Sequence, residues 1–170
     1  MKYVLVDGYN VINSWPELNE IKGYSYENAR HKLIEELNNY GVYNGFKIIL
    51  AFDAHLLPGS LEKKETISKN LEVVFTMEGE TADSFIERTV NNIGRKYEVS
   101  VVTSDSLEQQ VVFQRGAGRM SSIEFYHEVK NVEKKISFKI EKIYSQKGNK
   151  IEDNVKPEVL EKLEKMRRSN

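Results

Sequence analysis

The chain contains no cysteine in its 170 residues, which excludes disulfide scaffolds, zinc ribbons, iron–sulfur ligation and thiol catalysis. No apolar run approaches the ~18–20 residues of a membrane span. The opening Met-Lys-Tyr-Val-Leu-Val-Asp is too short in apolar length for a signal peptide and runs into an acidic residue. Together these absences set the expectation of a cytoplasmic protein with no membrane partner. There is no P-loop, no Gly-x-Gly-x-x-Gly after the first strand and no Gly-x-Ser-x-Gly, so nucleotide cradles and serine hydrolases are disfavoured. The three histidines, His31, His55 and His127, lack metal-ligand spacing. What is present is an ordinary globular balance: 39% hydrophobic, 30% charged and 10% aromatic residues, in a length that suits one domain with or without an extension.

Charge is nearly balanced overall, at a net of −1, but it is unevenly placed. Residues 1–129 carry 13 basic and 19 acidic side chains, and residues 130–170 carry 12 and 7. An acidic body suits a site that gathers cations, and a basic tail suits contact with a polyanion. The same tail also reads as an ordinary solvated helix.

Short apolar runs punctuate the first two thirds of the chain. Lys2–Val6, Phe46–Phe52, Leu71–Phe75 and Val99–Val102 read as buried strands. Between them, Ala29, Leu33 and Leu37 mark a helix over about 25–40, with Ser25 as N-cap, and Ala82, Phe85, Ile86 and Val90 mark another over about 80–95. A helix is expected through Val111–Phe113, and Ser121 with Glu124 forms a capping-box signature for the next. This alternation predicts an α/β fold, a parallel sheet with helices on both faces. Toward the C-terminus, the alternation of Ile136, Phe138 and Ile140 predicts an edge strand, 146–154 a loop, and Pro157 the start of a last helix. The expected division is a domain over 1–135 and a basic extension over 136–170.

The informative pattern is where the acids fall. Asp7, Asp53 and Asp105 each follow the end of a strand, and ligands of parallel α/β sheets bind outside those ends. One such Asp is commonly a helix cap; three at one sheet edge call for a further reason. Glu80 and Asp83 lie three apart at the start of a helix, where the dipole also favours anions. Clustered carboxylates repel unless a cation lies between them, and hard oxygen ligands without His or Cys suit Mg²⁺ or Mn²⁺.

These residues resemble the NYN domains, a branch of the PIN-like nucleases. The resemblance is carried by Val6-Asp7-Gly8-Tyr9-Asn10-Val11-Ile12, Phe52-Asp53-Ala54, Glu80-Thr81-Ala82-Asp83 and Thr103-Ser104-Asp105, in that order. Arg115-Gly116-Ala117-Gly118-Arg119 resembles the basic loop of the YacP-like subgroup. The resemblance implies a PIN-like three-layer fold with strand order 3-2-1-4-5. It implies a metal-dependent, ribosome-associated endoribonuclease acting on single-stranded messenger RNA. It places the catalytic metal on Asp7, Asp83 and Asp105, with Asn10, Asp53, Glu80 and Glu108 in support. The family's acid on the helix between strands one and two has no marked counterpart here, since Glu27, Glu35 and Glu36 carry no motif. Arg88, Arg95, Lys96, Arg115 and Arg119 are candidate phosphate contacts. Tyr9, Trp15, Tyr24 and Tyr26 are either core or base-stacking rings. The rival readings are a non-catalytic RNA- or ribosome-binding module and, more distantly, a small-molecule phosphohydrolase.

Overall fold

A computed structural model describes residues 1–53, 61–104 and 117–154, with the side chains of Arg95 and of residues after 145 left aside. The elements in order are β1 (Lys2–Asp7), α1 (Gly8–Ser14), α2 (Pro16–Lys22), α3 (Tyr26–Asn44), β2 (Lys47–Phe52), β3 (Lys63–Ser68), β4 (Leu71–Phe75), α4 (Ala82–Ile93), β5 (Glu98–Val102), β6 (Gly118–Met120) and α5 (Ser122–Asn154). Residues Met1–Glu133 form one compact unit and Lys134–Asn170 a second. Among the described residues no helix is long and apolar enough to cross a membrane.

The sheet has six strands in the order β3-β4-β2-β1-β5-β6. All pairs are parallel except β3 with β4. The parallel strands alone follow the expected order 3-2-1-4-5. The difference is β3, an added antiparallel edge strand. Its sequence, Lys-Lys-Glu-Thr-Ile-Ser, is largely exposed, so no apolar alternation announced it.

Alternate residues of the central strands serve the two faces. Leu5, Ala51, Val74 and Val101 pack with Phe85, Ile86 and Val90 of α4 in one cluster. Val4, Val6, Leu50 and Val73 are buried as well and point the other way, toward the side of α1–α3. Each fully buried Leu or Val removes enough apolar surface to contribute ~1.5–3 kcal/mol. Burial on both faces explains why these strands read as continuous apolar runs.

The predicted caps are present. Ser25 accepts from the Asn28 N–H at 3.2 Å, and Gly45 closes α3 at a φ of 70°. Ser121 and Glu124 form the full reciprocal box: Glu124 Oε2 accepts from the Ser121 N–H at 2.8 Å, and Ser121 Oγ accepts from the Glu124 N–H at 3.2 Å.

The edge strand expected at Ile136–Ile140 is corrected: that segment is helix, as is 146–154, expected as a loop, because α5 runs to Asn154. The governing spacing is Phe125, Val129, Val132, Ile136, Ile140 and Ile143, steps of three and four, buried at its start and exposed from Ile140 on, with Phe138 off the stripe and exposed. The helices expected at Val111–Phe113 and after Pro157 lie outside the described residues.

Candidate active site

Asp7 ends β1 and caps α1, its Oδ1 accepting the Asn10 N–H at 3.0 Å. It shares a sheet face with Leu5, the face that α4 covers. Asp53 follows β2, the strand beside β1, and its Oδ1 accepts the N–H of Ala82 at the start of α4. That contact sets the first turn of α4, which carries Asp83. Three carboxylates thus come to one sheet edge from three elements.

The electrostatics report the same convergence. The Asp7 carboxyl is pushed up to about 6, first by burial and then, against the hydrogen bond from Asn10, by the negative charges of Asp83 and Asp53. An acid this perturbed at a strand end is a candidate for a chemical site as well as the cap of α1. Among the described residues no group of three or more His, Cys, Asp or Glu could hold a metal ion. Asp105, Glu108 and Arg115 lie outside the described residues. The donor chemistry of Asp7 and Asp83 fits a hard divalent cation, and the described residues do not complete its ligand set.

Asn10 has a role that the sequence reading did not find. Its side-chain oxygen accepts from the Ser104 N–H at 3.1 Å and from the Ser122 hydroxyl at 2.7 Å. One amide therefore ties α1 to the exit of β5 and to the start of α5. Ser104 immediately precedes Asp105 in the chain, so Asn10 anchors the segment that leads into it. Ser122 carries no motif, and the Thr103-Ser104-Asp105 motif marks Ser104 without announcing this contact.

Other expected residues are engaged differently. Glu80 precedes the Thr81 N-cap of α4 and takes Arg88 in a two-point ion pair, at 3.0 and 3.2 Å. Arg88 also reaches Glu62 at 2.8 Å. Arg119 lies on β6 and feels Glu124. Lys96 is exposed in the turn Gly94–Lys96. Of the acids on α3, Glu36 is buried against Lys130 at 3.2 Å, in a structural setting.

The four aromatics divide. Trp15 is fully buried, donates its indole N–H to the Ser122 carbonyl at 2.8 Å, and packs on Phe125 and Tyr126; it belongs to the core and presents no stacking surface. Tyr24 and Tyr26 are exposed. Tyr9 is half-buried, with its ring 5.1 Å from Phe52 and 6.0 Å from Tyr26. Gly8 is needed here for space: a Cβ would fall 2.2 Å from the Phe52 ring.

The fold is that of a nuclease-like domain of the NYN class. The model of the YacP-like NYN domain matches residues 4–168, and the chain belongs to that family. It is 44% identical to the uncharacterized protein YacP of Bacillus subtilis strain 168 over 174 residues, covering 100% of this chain and 99% of that protein. The crystal structure of Rae1 (YacP) from Bacillus subtilis superposes with a TM-score of 0.74 at 42% identity, covering 99% of this chain and 95% of that one. A mutant of the same protein gives a TM-score of 0.73 at 38% identity, with 85% of each chain covered.

Proposed function

We propose that this protein is a cytoplasmic endoribonuclease that hydrolyses single-stranded RNA with Mg²⁺ or Mn²⁺, and that it acts on messenger RNA at the ribosome. The observation that carries the reading is Asp7: half-buried, raised to about 6, and near the charges of Asp83 and Asp53 at the sheet edge of a nuclease-like domain. Asp7, Asp83 and Asp105 are the residues that would hold the metal. When bound, the ion neutralises the phosphodiester and lowers the pKa of an attacking water.

The chain's own residues prepare that site. The Asn10 N–H fixes one oxygen of Asp7. Asp53 holds the turn that carries Asp83. The Asn10 amide anchors the segment leading to Asp105. Arg115 and Arg119 are the proposed phosphate contacts of the basic loop, and the basic extension over 136–170 supplies affinity for the ribosome.

The test is a circular single-stranded RNA, which only an endonuclease can open, incubated with Mg²⁺, with Mn²⁺ or with chelator. Opening that depends on metal and is lost in Asp7→Asn and Asp83→Asn supports the reading; a circle left intact by the wild type refutes it. The rival reading is a non-catalytic RNA-binding module that keeps the same carboxylates. Mn²⁺ binding that disappears in Asp105→Asn separates the two.

A further inference from the structure

The body, with 13 basic and 19 acidic side chains over residues 1–129, carries a net of −6, yet RNA must approach its acidic edge, so the state of each nearby cation matters. Among the described residues several cations are taken up by carboxylates. Arg88 is held by Glu62 and Glu80, and Lys130 by Glu17, Glu36 and Glu133. Arg30 and Lys22 differ. Arg30 Nη1 donates to the Tyr9 hydroxyl at 3.4 Å, and among the described residues no carboxylate is paired with it. Lys22 Nζ donates to the Asn13 side-chain oxygen at 2.8 Å.

Both connect to Tyr9, two residues after Asp7: Arg30 through the Tyr9 hydroxyl, and Lys22 through the Tyr26 ring that packs on Tyr9. The Arg30 guanidinium stands 6.0 Å from the Phe75 ring, at the end of β4, and Phe75 stacks on Phe52, the neighbour of Asp53. Tyr9, which receives Arg30, is two residues from Asp7. Tyr26, one turn before Arg30 on α3, sets its exposed ring edge-on to Tyr9, with Lys22 Nζ 5.9 Å from its centroid. A guanidinium has five N–H donors and matches a phosphate in two-point fashion. An exposed tyrosine ring offers a base any π-face.

We propose that Arg30 and Tyr26 form a nucleotide subsite flanking the carboxylates: Arg30 takes a backbone phosphate of single-stranded RNA, and the Tyr26 ring stacks on the attached base. The subsite rests on the endoribonuclease reading. Lys22 adds positive potential beside the ring, and the Tyr9 hydroxyl orients the guanidinium. The spacing of Tyr26 and Arg30, four apart on one helix, places both on the same face.

The experiment uses the full chain and a short fluorescein-labelled oligouridylate, read by anisotropy in chelator over a series of salt concentrations. Arg30→Gln is expected to weaken binding by about ten-fold, the loss of a charge-assisted contact. It should also lower the slope of log affinity against log salt by about 0.7, one phosphate on a single strand. Tyr26→Ala is expected to weaken binding about five-fold or more, with the slope unchanged. In cleavage with Mn²⁺, Arg30→Gln should raise KM with kcat nearly kept, as for a contact made equally in ground and transition states. Wild-type affinity and slope in Arg30→Gln overturn the subsite alone. Failure of the wild type to bind or cut RNA overturns the endoribonuclease reading and the subsite with it. Should Arg30→Gln melt lower than wild type, Arg30→Lys decides: weakened affinity at a wild-type slope supports the subsite, and wild-type affinity overturns it.

Discussion

Asp7→Asn is expected to stabilise the metal-free protein at neutral pH while abolishing its chemistry. The carboxyl titrates near 3.8 in an ordinary setting and near 6 in the fold. A raised folded-state value means that the folded chain binds the proton more tightly than the unfolded one. The stability linked to that proton is fully present below about pH 3.8 and is lost as pH rises through about 6. The rise from 3.8 to about 6, at about 1.36 kcal/mol for each pH unit, penalises the ionised wild type by up to about 3 kcal/mol at about pH 7.5. Asn removes the charge and keeps the shape, and it is as good an N-cap as Asp, so the Asn10 N–H retains its acceptor. For a chain of this size the gain corresponds to a rise in Tm of about 6–12 °C. The assay is thermal unfolding by circular dichroism in chelator at pH 7.5 and at pH 4. The variant should melt higher at pH 7.5 and level with wild type at pH 4. With saturating Mg²⁺ the gap should narrow or reverse, because a ligand that binds only the folded wild type stabilises it. Equal melting at pH 7.5 in chelator, or an equal gap at both pH values, would refute the electrostatic account of Asp7.

Three further outcomes are expected. Gly8→Ala puts a Cβ 2.2 Å from the Phe52 ring, which is fully buried, so it should lower stability by about 1–3 kcal/mol in denaturant titration and reduce cleavage through the displaced Tyr9. Lys130→Met leaves the buried Glu36, whose carboxyl burial already pushes up, with only Lys32 at 3.5 Å, and should cost about 2 kcal/mol, most of it recovered when Glu36→Gln is added. Deletion of residues 156–170 should leave metal-dependent cleavage of short RNA intact and reduce co-sedimentation with ribosomes, with a smaller difference from the full chain at higher salt, where the tail's charges are screened.

The central sheet could be read from the chain because its strands are buried on both faces. Such strands form apolar runs that end sharply at Asp7, Asp53 and Thr103, and burial is what the hydrophobic pattern reports. Elements with little burial were correspondingly silent. β3 presents lysines and a glutamate on an exposed edge, and β6 is three residues long. α1 and α2 are seven residues each, too short for a helical period to repeat. The misread strand at Ile136–Ile140 has the opposite cause. Three apolar residues at spacing two also fit a single helical step of four with an intruder between, and only the longer stripe from Phe125 to Ile143 decides between them.

The site followed a different logic. The positions of Asp7 and Asp53 were readable because a parallel sheet delivers its strand ends to one edge, and Asp83 because it opens a helix with Glu80 just before it. Contacts between elements that topology does not dictate were not readable. Nothing in Ser104 or Ser122 announces that Asn10 joins them, and nothing in Arg88 announces that Glu80 and Glu62 take up its charge. Arg30 sits on the helix where an acid was sought, and its sequence signal is only a tyrosine four residues earlier. The distinction between Arg88 and Arg30 is a matter of partners. A cation facing two carboxylates has its charge offset and would add little pull on RNA, whereas one held by a phenol keeps its charge for a ligand. On an acidic body, which cations attract the substrate is therefore decided by the ion-pair pattern rather than by the count of Lys and Arg.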